Sequence, residues 1–458
     1  MNDEHKLMEK IQSLCKTRGF IFQAGELYGG LAGVYDYGPL GSLLKKNVKD
    51  AWVKKFVHDR QDSYLLDSAI LMGEAALTAS GHVGGFSDPL VEDMVTNKRY
   101  RADTLLEEAG IDPAEMSLAD MTQSLIDNSI VSPEGNNLGE VRQFNLMLKT
   151  QVGANEDATS TAYLRPETAQ GIFVNYKNIM DSMHPKIPFG VMQIGKAYRN
   201  EITPRNFIFR LRELEQMEIE YFIHPSQWEA QFEYWREEMN EWINEIGIDF
   251  SKLHEVEIVG ADLAHYSKRT IDFEFEYPFG QKELCGLAYR GDYDLAKHAE
   301  HSKTKLQYTD SISGETFIPH VIEPSMGLDR MLLAILVSSY KEDDVEGNMR
   351  AYLSLPHHLA PYKIAVSPLV KNKEDIVDKS KEVFGLLKAE FGNVTYDDNG
   401  NVGKRYRRQD EIGTPFCIVV DYDSLEDGTV SIRNRDSMEQ IRVSVDELIN
   451  HCNELFKR

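Results

Sequence analysis

Between residues 198 and 222 the chain reads YRNEITPRNFIFRLRELEQMEIEYF, and its charges are sorted. Arginines stand at 199, 205, 210 and 212; acids follow at 213, 215, 218 and 220. Guanidinium forks take phosphate oxygens in pairs and never lose their charge. Carboxylates farther along suit an ammonium group. From Phe207 the odd positions (Phe207, Phe209, Leu211, Met217, Ile219, Tyr221) are mostly apolar, whereas the even ones (Arg210, Arg212, Leu214, Gln216, Glu218, Glu220) are mostly polar. Such alternation predicts a strand over 207–222, one face in the core and the other a polar floor. On an ideal strand Arg210 and Glu218 lie about 26 Å apart. Arg199 and Glu201 precede the loop ITPRN, which would form the return half of a hairpin. The plain alternative is a cross-strand ladder of ion pairs. The sharper reading is an anion site beside a cation site on one sheet, as an amino acid and a nucleotide would need. A carboxylate attacking the α-phosphate of ATP expels pyrophosphate, so the protein must hold several phosphates together and offset the charge.

The elements that must position these groups are legible in outline. Helical spacing predicts helices over 3–18, 42–57, 166–180, 225–246 and 326–340. Strand signals lie at 64–72, 187–196, 269–277, 283–290 and 316–322. Two glycine-rich loops, YGGLAGVYDYGPLG and ASGHVGGFSD, interrupt the first hundred residues. The segment 99–159 reads as an insertion of short helices and polar linkers. The expected division is therefore 1–98 and 160–354 for a split catalytic domain, 99–159 for the insertion, and 355–458 for a separate α/β domain entered through SLPHHLAP.

Composition narrows the class. A chain of 458 residues with 42% hydrophobic and 27% charged residues fits a multidomain enzyme. A net charge of −24 disfavours broad nucleic-acid binding without excluding local basic patches. No apolar run is long enough to span a bilayer, and the charged start MNDEHKLMEK lacks a secretory pattern. Cys15, Cys285, Cys417 and Cys452 form no CxxC pair, which fits a cytoplasmic protein with free thiols.

Several segments together resemble class II aminoacyl-tRNA synthetases. YDYGPLGSLLKKNVKDAW is similar to their first motif, a dimer-forming helix; YRNE with RLRE resembles the second; PSMGLDR, with its arginine at a strand-to-helix junction, resembles the third. More narrowly, ASGHVGGFSDPLV, RQFNLMLKT, YLRPETAQGIF, EPSMGLDR and VGKRYRRQDEIGTPF resemble the homodimeric glycyl-tRNA synthetases over nearly the whole chain. The resemblance implies an α+β fold: an antiparallel sheet flanked by helices, plus a C-terminal α/β anticodon-binding domain with a mixed sheet. It implies glycine, ATP and tRNA(Gly) as substrates, Mg²⁺ as cofactor, and a homodimer with no membrane association.

Residue by residue, the resemblance makes Arg199, Arg210 and Arg330 the catalytic phosphate arginines. ATP would meet Arg199, Asn200 and Glu201, then Phe209, Arg210, Leu211, Arg212, Glu213 and Leu214, then Glu283 and Leu284, and Gly327, Leu328, Asp329 and Arg330. Glu283 would also hold the metal. The glycine pocket would draw on Arg101, Glu167, Arg290 and Leu214 through Glu218 (Glu215, Gln216 and Met217 between), with Glu323, Pro324, Ser325, Met326 and Gly327. Leu214 departs from the usual phenylalanine and loses an aromatic face for adenine. SPEGNNLGEVRQFNLM lacks the CPxCG element of many relatives, so no zinc is expected. His298 and His301 have helical spacing but no third ligand, and read as a solvated helix.

For tRNA, GKRYRRQ puts Lys404, Arg407 and Arg408 on one side of a helix with Arg405 flanking, and Arg433 and Arg435 extend the patch. Two alternatives stay open on sequence: a class II synthetase for another small amino acid, and a non-catalytic nucleic-acid-binding relative. The retained arginines weigh against the second.

Overall fold

The computed structural model describes residues 3–114, 116–153, 161–260, 263–264, 266–345 and 347–457. Its centre is a seven-stranded sheet of β1 (Ser63–Leu65), β2 (Phe189–Tyr198), β3 (Glu213–Ile223), β4 (Leu253–Ile258), β5 (Arg269–Tyr277), β6 (Gly280–Gly291) and β7 (His320–Gly327). The spatial order is β4-β5-β6-β7-β3-β2-β1, antiparallel throughout except for the short parallel edge pair β1–β2.

Alternation decides which face is core. Met217, Ile219 and Tyr221 of β3 are buried against a helical layer of α1 (Pro39–Val53), α3 (Trp228–Glu245) and α4 (Leu328–Ser339), whereas α2 (Ala169–Met183) lies on the other side. Helix α3 presents Phe232, Trp235, Met239, Trp242 and Ile243, an i, i+3, i+7 stripe, and Phe56 packs against Trp235 and Trp242 at ring-centroid distances of 5.9 and 5.7 Å. On the opposite face α2 covers only one end, packing Ile172, Phe173 and Tyr176 on Phe189, Val191 and Phe222. The rest of that face is left for a ligand.

The expected strand over 207–222 is shorter than its alternation suggested. Only Glu213–Ile223 is strand; Asn206 and Phe207 adopt φ of 62° and 58°, and residues 200–212 fold back as a loop. That left-handed pair reverses the chain, so Arg210 and Glu218 line one cavity rather than standing at opposite ends of a ribbon. The expected strand 64–72 likewise splits into Ser63–Leu65 and Leu71–Gly73, in different sheets. A three-stranded sheet joins Ser87–Glu92 to Arg99–Arg101 and Arg142–Asn145, tying the expected insertion to the residues before it. The expected boundary at 159/160 falls outside the described residues.

The C-terminal domain is a five-stranded mixed sheet of β8 (Ile364–Pro368), β9 (Val394–Tyr396), β10 (Phe416–Val420), β11 (Thr429–Asn434) and β12 (Gln440–Ser444). Strands β9, β8 and β10 run parallel and β10, β11 and β12 antiparallel. Helices α5 (Glu374–Phe391), α6 (Val402–Glu411) and α7 (Leu448–Lys457) accompany it. The hairpin 340–353 docks this domain: Arg350, buried, pairs with Asp410 at 3.2 Å and donates to the Arg435 carbonyl at 2.8 Å. No helix among the described residues is long and apolar enough to cross a membrane. The four cysteines are buried and unpaired.

Candidate active site

One rung of the sheet organises the site. Gln193, Glu218, Ser325, Gly286 and Asp272 are neighbours across β2, β3, β7, β6 and β5, so their side chains share the uncovered face. Above them opens a cavity of about 600 Å³. A side chain at Gly286 would project between Ser325 and Asp272 and fill the floor. A register shift between Phe273 and Glu274 then pairs Glu274 with Glu283, and this bulge turns Glu283 onto the cavity side while Cys285 stays in the core.

Around Glu283 the cavity is rich in arginine. Arg330, the third residue of α4, pairs with Glu283 at 2.9 Å, and its guanidinium lies 4.5 Å from the Phe209 ring centre. Arg330's charge first, and Arg199 and Arg210 after burial, hold Glu283 below the usual carboxylate range. Arg210 is partly desolvated and repelled by Arg101, Arg205 and Arg330. Arg199 donates through Nε to the Pro166 carbonyl at 3.0 Å and lies over Phe86. Arg101 is braced by Asp88 at 2.8 Å and by Asp103. Four guanidiniums line this one cavity, Arg101, Arg199, Arg210 and Arg330, a set awaiting a polyanion. Beside Glu283, Asp272 is pushed up to about 7 by burial and by Glu283 and Glu274, against the pull of Arg330.

The other end is acidic and buried. Glu218 Oε2 accepts the Thr168 amide at 3.1 Å and the Thr168 hydroxyl; Oε1 accepts the Gln216 amide at 2.9 Å and the Ser325 hydroxyl at 2.8 Å. Burial and the neighbouring Glu167 nonetheless raise its pKa. Burial pushes Glu167 up as well, but His82, 3.4 Å away, together with Arg290 and a hydrogen bond from Gln170, brings it below the usual range. Glu323 is pushed up to about 8 by burial and by Glu218 and Glu167, despite its 2.7 Å pair with Arg290. Arg290 is also bound by Asp294 and lies 3.9 Å from the Tyr266 ring centre, so it is saturated behind the pocket. Glu167, Glu218 and Glu323 thus outnumber the nearby cations, an arrangement that favours a small ammonium ion.

Several expected contacts are placed elsewhere by the strand period. Met217 and Met326 are wholly buried on the opposite face, and Leu328 is wholly buried in the helical layer; their side chains do not meet the cavity. Glu215 turns to α1, where Lys45 and Lys49 hold it at 2.9 and 3.1 Å. Arg212 braces the loop, donating to the Glu201 and Ala32 carbonyls, and Glu213 pairs with Lys196. Asn200 lends its amide to the Leu146 carbonyl. Leu214, Leu211, Phe209, Glu201, Leu284 and Gly327 border the cavity with the arginines, Gln216 and Ser325. Pro324 sits on the core side of β7, between Glu323 and Ser325.

Reading the sequence missed His82, Thr168, Gln170, Asp88, Tyr266 and Asp272. His82 and Asp88 lay within a loop already singled out by its glycines; Asp272 had a polar strand position as its only signal. His298, expected on a solvated helix, is buried and bonded to Gln170 Oε1 at 2.9 Å.

The basic helix α6 is corrected most. Arg405 is buried and donates to the carbonyls of Pro368, Asp398 and Gly400. Arg408 is held by Asp397 and Arg407 donates to the Met349 carbonyl. Arg433 and Arg435 are buried in the Asp410 and Asp436 pairs. A guanidinium that saturates backbone carbonyls is a strut, leaving Lys404 as the exposed cation of the four.

Family models agree with this architecture. Residues 151–339 match the tRNA synthetase class II core domain (G, H, P, S and T), and residues 363–455 match the anticodon binding domain. The chain is 48% identical to the glycine–tRNA ligase of Alkaliphilus oremlandii over 99% of both chains. It is 49% identical to that of Clostridium tetani and 47% identical to that of Caldanaerobacter subterraneus, over 98% of each chain.

Proposed function

The chain belongs to the glycine–tRNA ligases, a family of class II aminoacyl-tRNA synthetases, and from that premise we propose which of its residues handle each substrate. The enzyme uses ATP to activate glycine as glycyl-adenylate and transfers the glycyl group to the 3′ end of tRNA. One observation carries the assignment of residues: a single cavity with converging arginines at one end and a surplus of buried carboxylates at the other.

In this reading Glu167, Glu218 and Glu323 surround the glycine ammonium, and Ser325 and Gln216 fix the Glu218 carboxylate between them. Crowding among these buried carboxylates would reject alanine sterically. Arg199 binds the α-phosphate, and Arg210 and Arg330 bind the outer phosphates, with Leu214 along the adenine. The glycine carboxylate oxygen bonds to the α-phosphorus as the bond to the bridging oxygen breaks, and pyrophosphate leaves. No protein base is required; alignment and fixed positive charge lower the barrier.

Mg²⁺ fits Glu283 and Asp272. A divalent cation would relieve Asp272, whose ionisation burial and Glu283 make costly, and this ion is often held by one or two carboxylates plus phosphates. No larger metal-ligating cluster occurs among the described residues. When bound, the ion would neutralise phosphate charge; the arginines still orient the triphosphate.

A cytoplasmic homodimer formed through α1 completes the proposal. The apolar loop residues Leu27, Tyr28 and Leu31, exposed by 87, 91 and 58%, support a covering partner. The C-terminal domain takes the tRNA(Gly) anticodon, with Lys404 among its phosphate contacts, and the four-part domain division stands with it. The test is exchange of labelled pyrophosphate into ATP. Glycine should support it; equal exchange with alanine or serine would overturn the pocket assignment.

A further inference from the structure

At the back wall of the cavity, whose lining includes Asp329 and Glu215 but neither Tyr37 nor Lys45, four segments meet at one carboxylate. Asp329 Oδ1 accepts the Tyr37 hydroxyl and the Lys45 ammonium (3.1 Å), and Oδ2 accepts the Glu215 amide at 2.7 Å. Lys45 continues to Glu215 Oε2 at 2.9 Å and sits 4.0 Å from the Tyr37 ring centre, while Lys49 takes the other Glu215 oxygen. Asp329 and Lys45 are almost completely buried. The resulting hub joins the 35–37 strand, α1, β3 and the first turn of α4.

Asp329 is adjacent to Arg330, and a helix turns by about 100° per residue. With Asp329 locked into the back layer, Arg330 is turned toward the cavity, where it meets Glu283 and lies over Phe209. The same hub grips β3 at Glu215, one residue from Leu214 on the cavity border. Buried ion clusters of this kind are seldom needed for stability, because apolar residues of similar volume serve as well. Their distinctive product is fixed geometry.

We propose that Tyr37 and Lys45 are positioning residues for the phosphate arginine Arg330, acting through Asp329 and making no contact with substrate. The inference rests on the assignment of Arg330 to the outer phosphates given above. It places control of nucleotide orientation in the 35–37 strand and α1, far along the chain from the arginine they direct.

Steady-state pyrophosphate exchange on full-length Tyr37→Phe, Lys45→Met and Arg330→Ala, with a melting curve for each, separates the possibilities. Tyr37→Phe and Lys45→Met should raise the KM for ATP about three- to tenfold while the glycine KM stays within about twofold. Unchanged ATP kinetics in these two, with Arg330→Ala impaired for ATP, would overturn the positioning role alone. Equal losses toward ATP and glycine would also overturn it, as a general disturbance. Arg330→Ala with normal ATP kinetics would instead overturn the assignment of Arg330. Should Lys45→Met fail to fold, Tyr37→Phe, which deletes one hydroxyl, decides the matter.

Discussion

Replacing Glu218 by glutamine tests the acidic end most directly. Four donors converge on this carboxylate: the Thr168 amide and hydroxyl on one oxygen, the Gln216 amide and Ser325 hydroxyl on the other. Glutamine keeps one acceptor oxygen and offers an NH₂ to the remaining two donors. The serine hydroxyl can rotate to accept, and the Gln216 amide can turn to present its oxygen, which has no partner in the structure. The ammonium of glycine loses a charge-assisted partner worth about 1.5–3 kcal/mol, which corresponds to a glycine KM raised roughly 10- to 150-fold. ATP KM should stay within about twofold, because Arg210 and Arg330 lie at the other end and Arg199 reaches Glu218 only through its charge, with no hydrogen bond between them. Folding should suffer little: burial already disfavours the charged form of Glu218, and a neutral isostere relieves that cost while Gln216 and Ser325 turn to accept its NH₂. Exchange kinetics varying glycine and then ATP, with a thermal melt, give all three quantities. An unchanged glycine KM in a natively melting variant, or an equal rise for both substrates, would refute the reasoning.

Further outcomes follow from the same structure. Glu323, raised to about 8, holds a proton in the folded empty pocket that the unfolded chain has already lost. Its contribution to stability is therefore complete below about pH 4.5 and is lost as pH rises through about 8; ligand-free melting should fall over that window, less so in Glu323→Gln. An ammonium displaces the same proton, so the glycine KM should decrease from about pH 6 to about 8 in the native enzyme and flatten in Glu323→Gln; equal slopes would refute this. Arg405→Met removes three carbonyl contacts and should cost about 2–4 kcal/mol in chemical denaturation, whereas Lys404→Ala should leave stability alone and lower the salt dependence of tRNA binding by about one unit of slope. A native midpoint for Arg405→Met would remove its structural role.

The alternation of MEIEYF was enough to place Glu218 and Glu220 on one face and Met217, Ile219 and Tyr221 on the other, because side-chain direction in a strand has a strict local period. The same local information put Arg330 at a strand-to-helix junction and divided off a C-terminal α/β unit, and the order of its segments identified the family. It could not reveal that a bulge beside Cys285 turns Glu283 into the cavity, or that left-handed backbone at Asn206 and Phe207 returns Arg210 to it. Nor could it distinguish Arg405, consumed by three carbonyls, from the exposed Lys404 one position earlier. Residue type and periodicity are properties of neighbours in the chain, and the sequence determined them alone. Which charges remain free for a ligand depends on partners contributed by remote segments, such as Lys45 for Glu215 and Asp329 for Tyr37, and only the tertiary structure decided that.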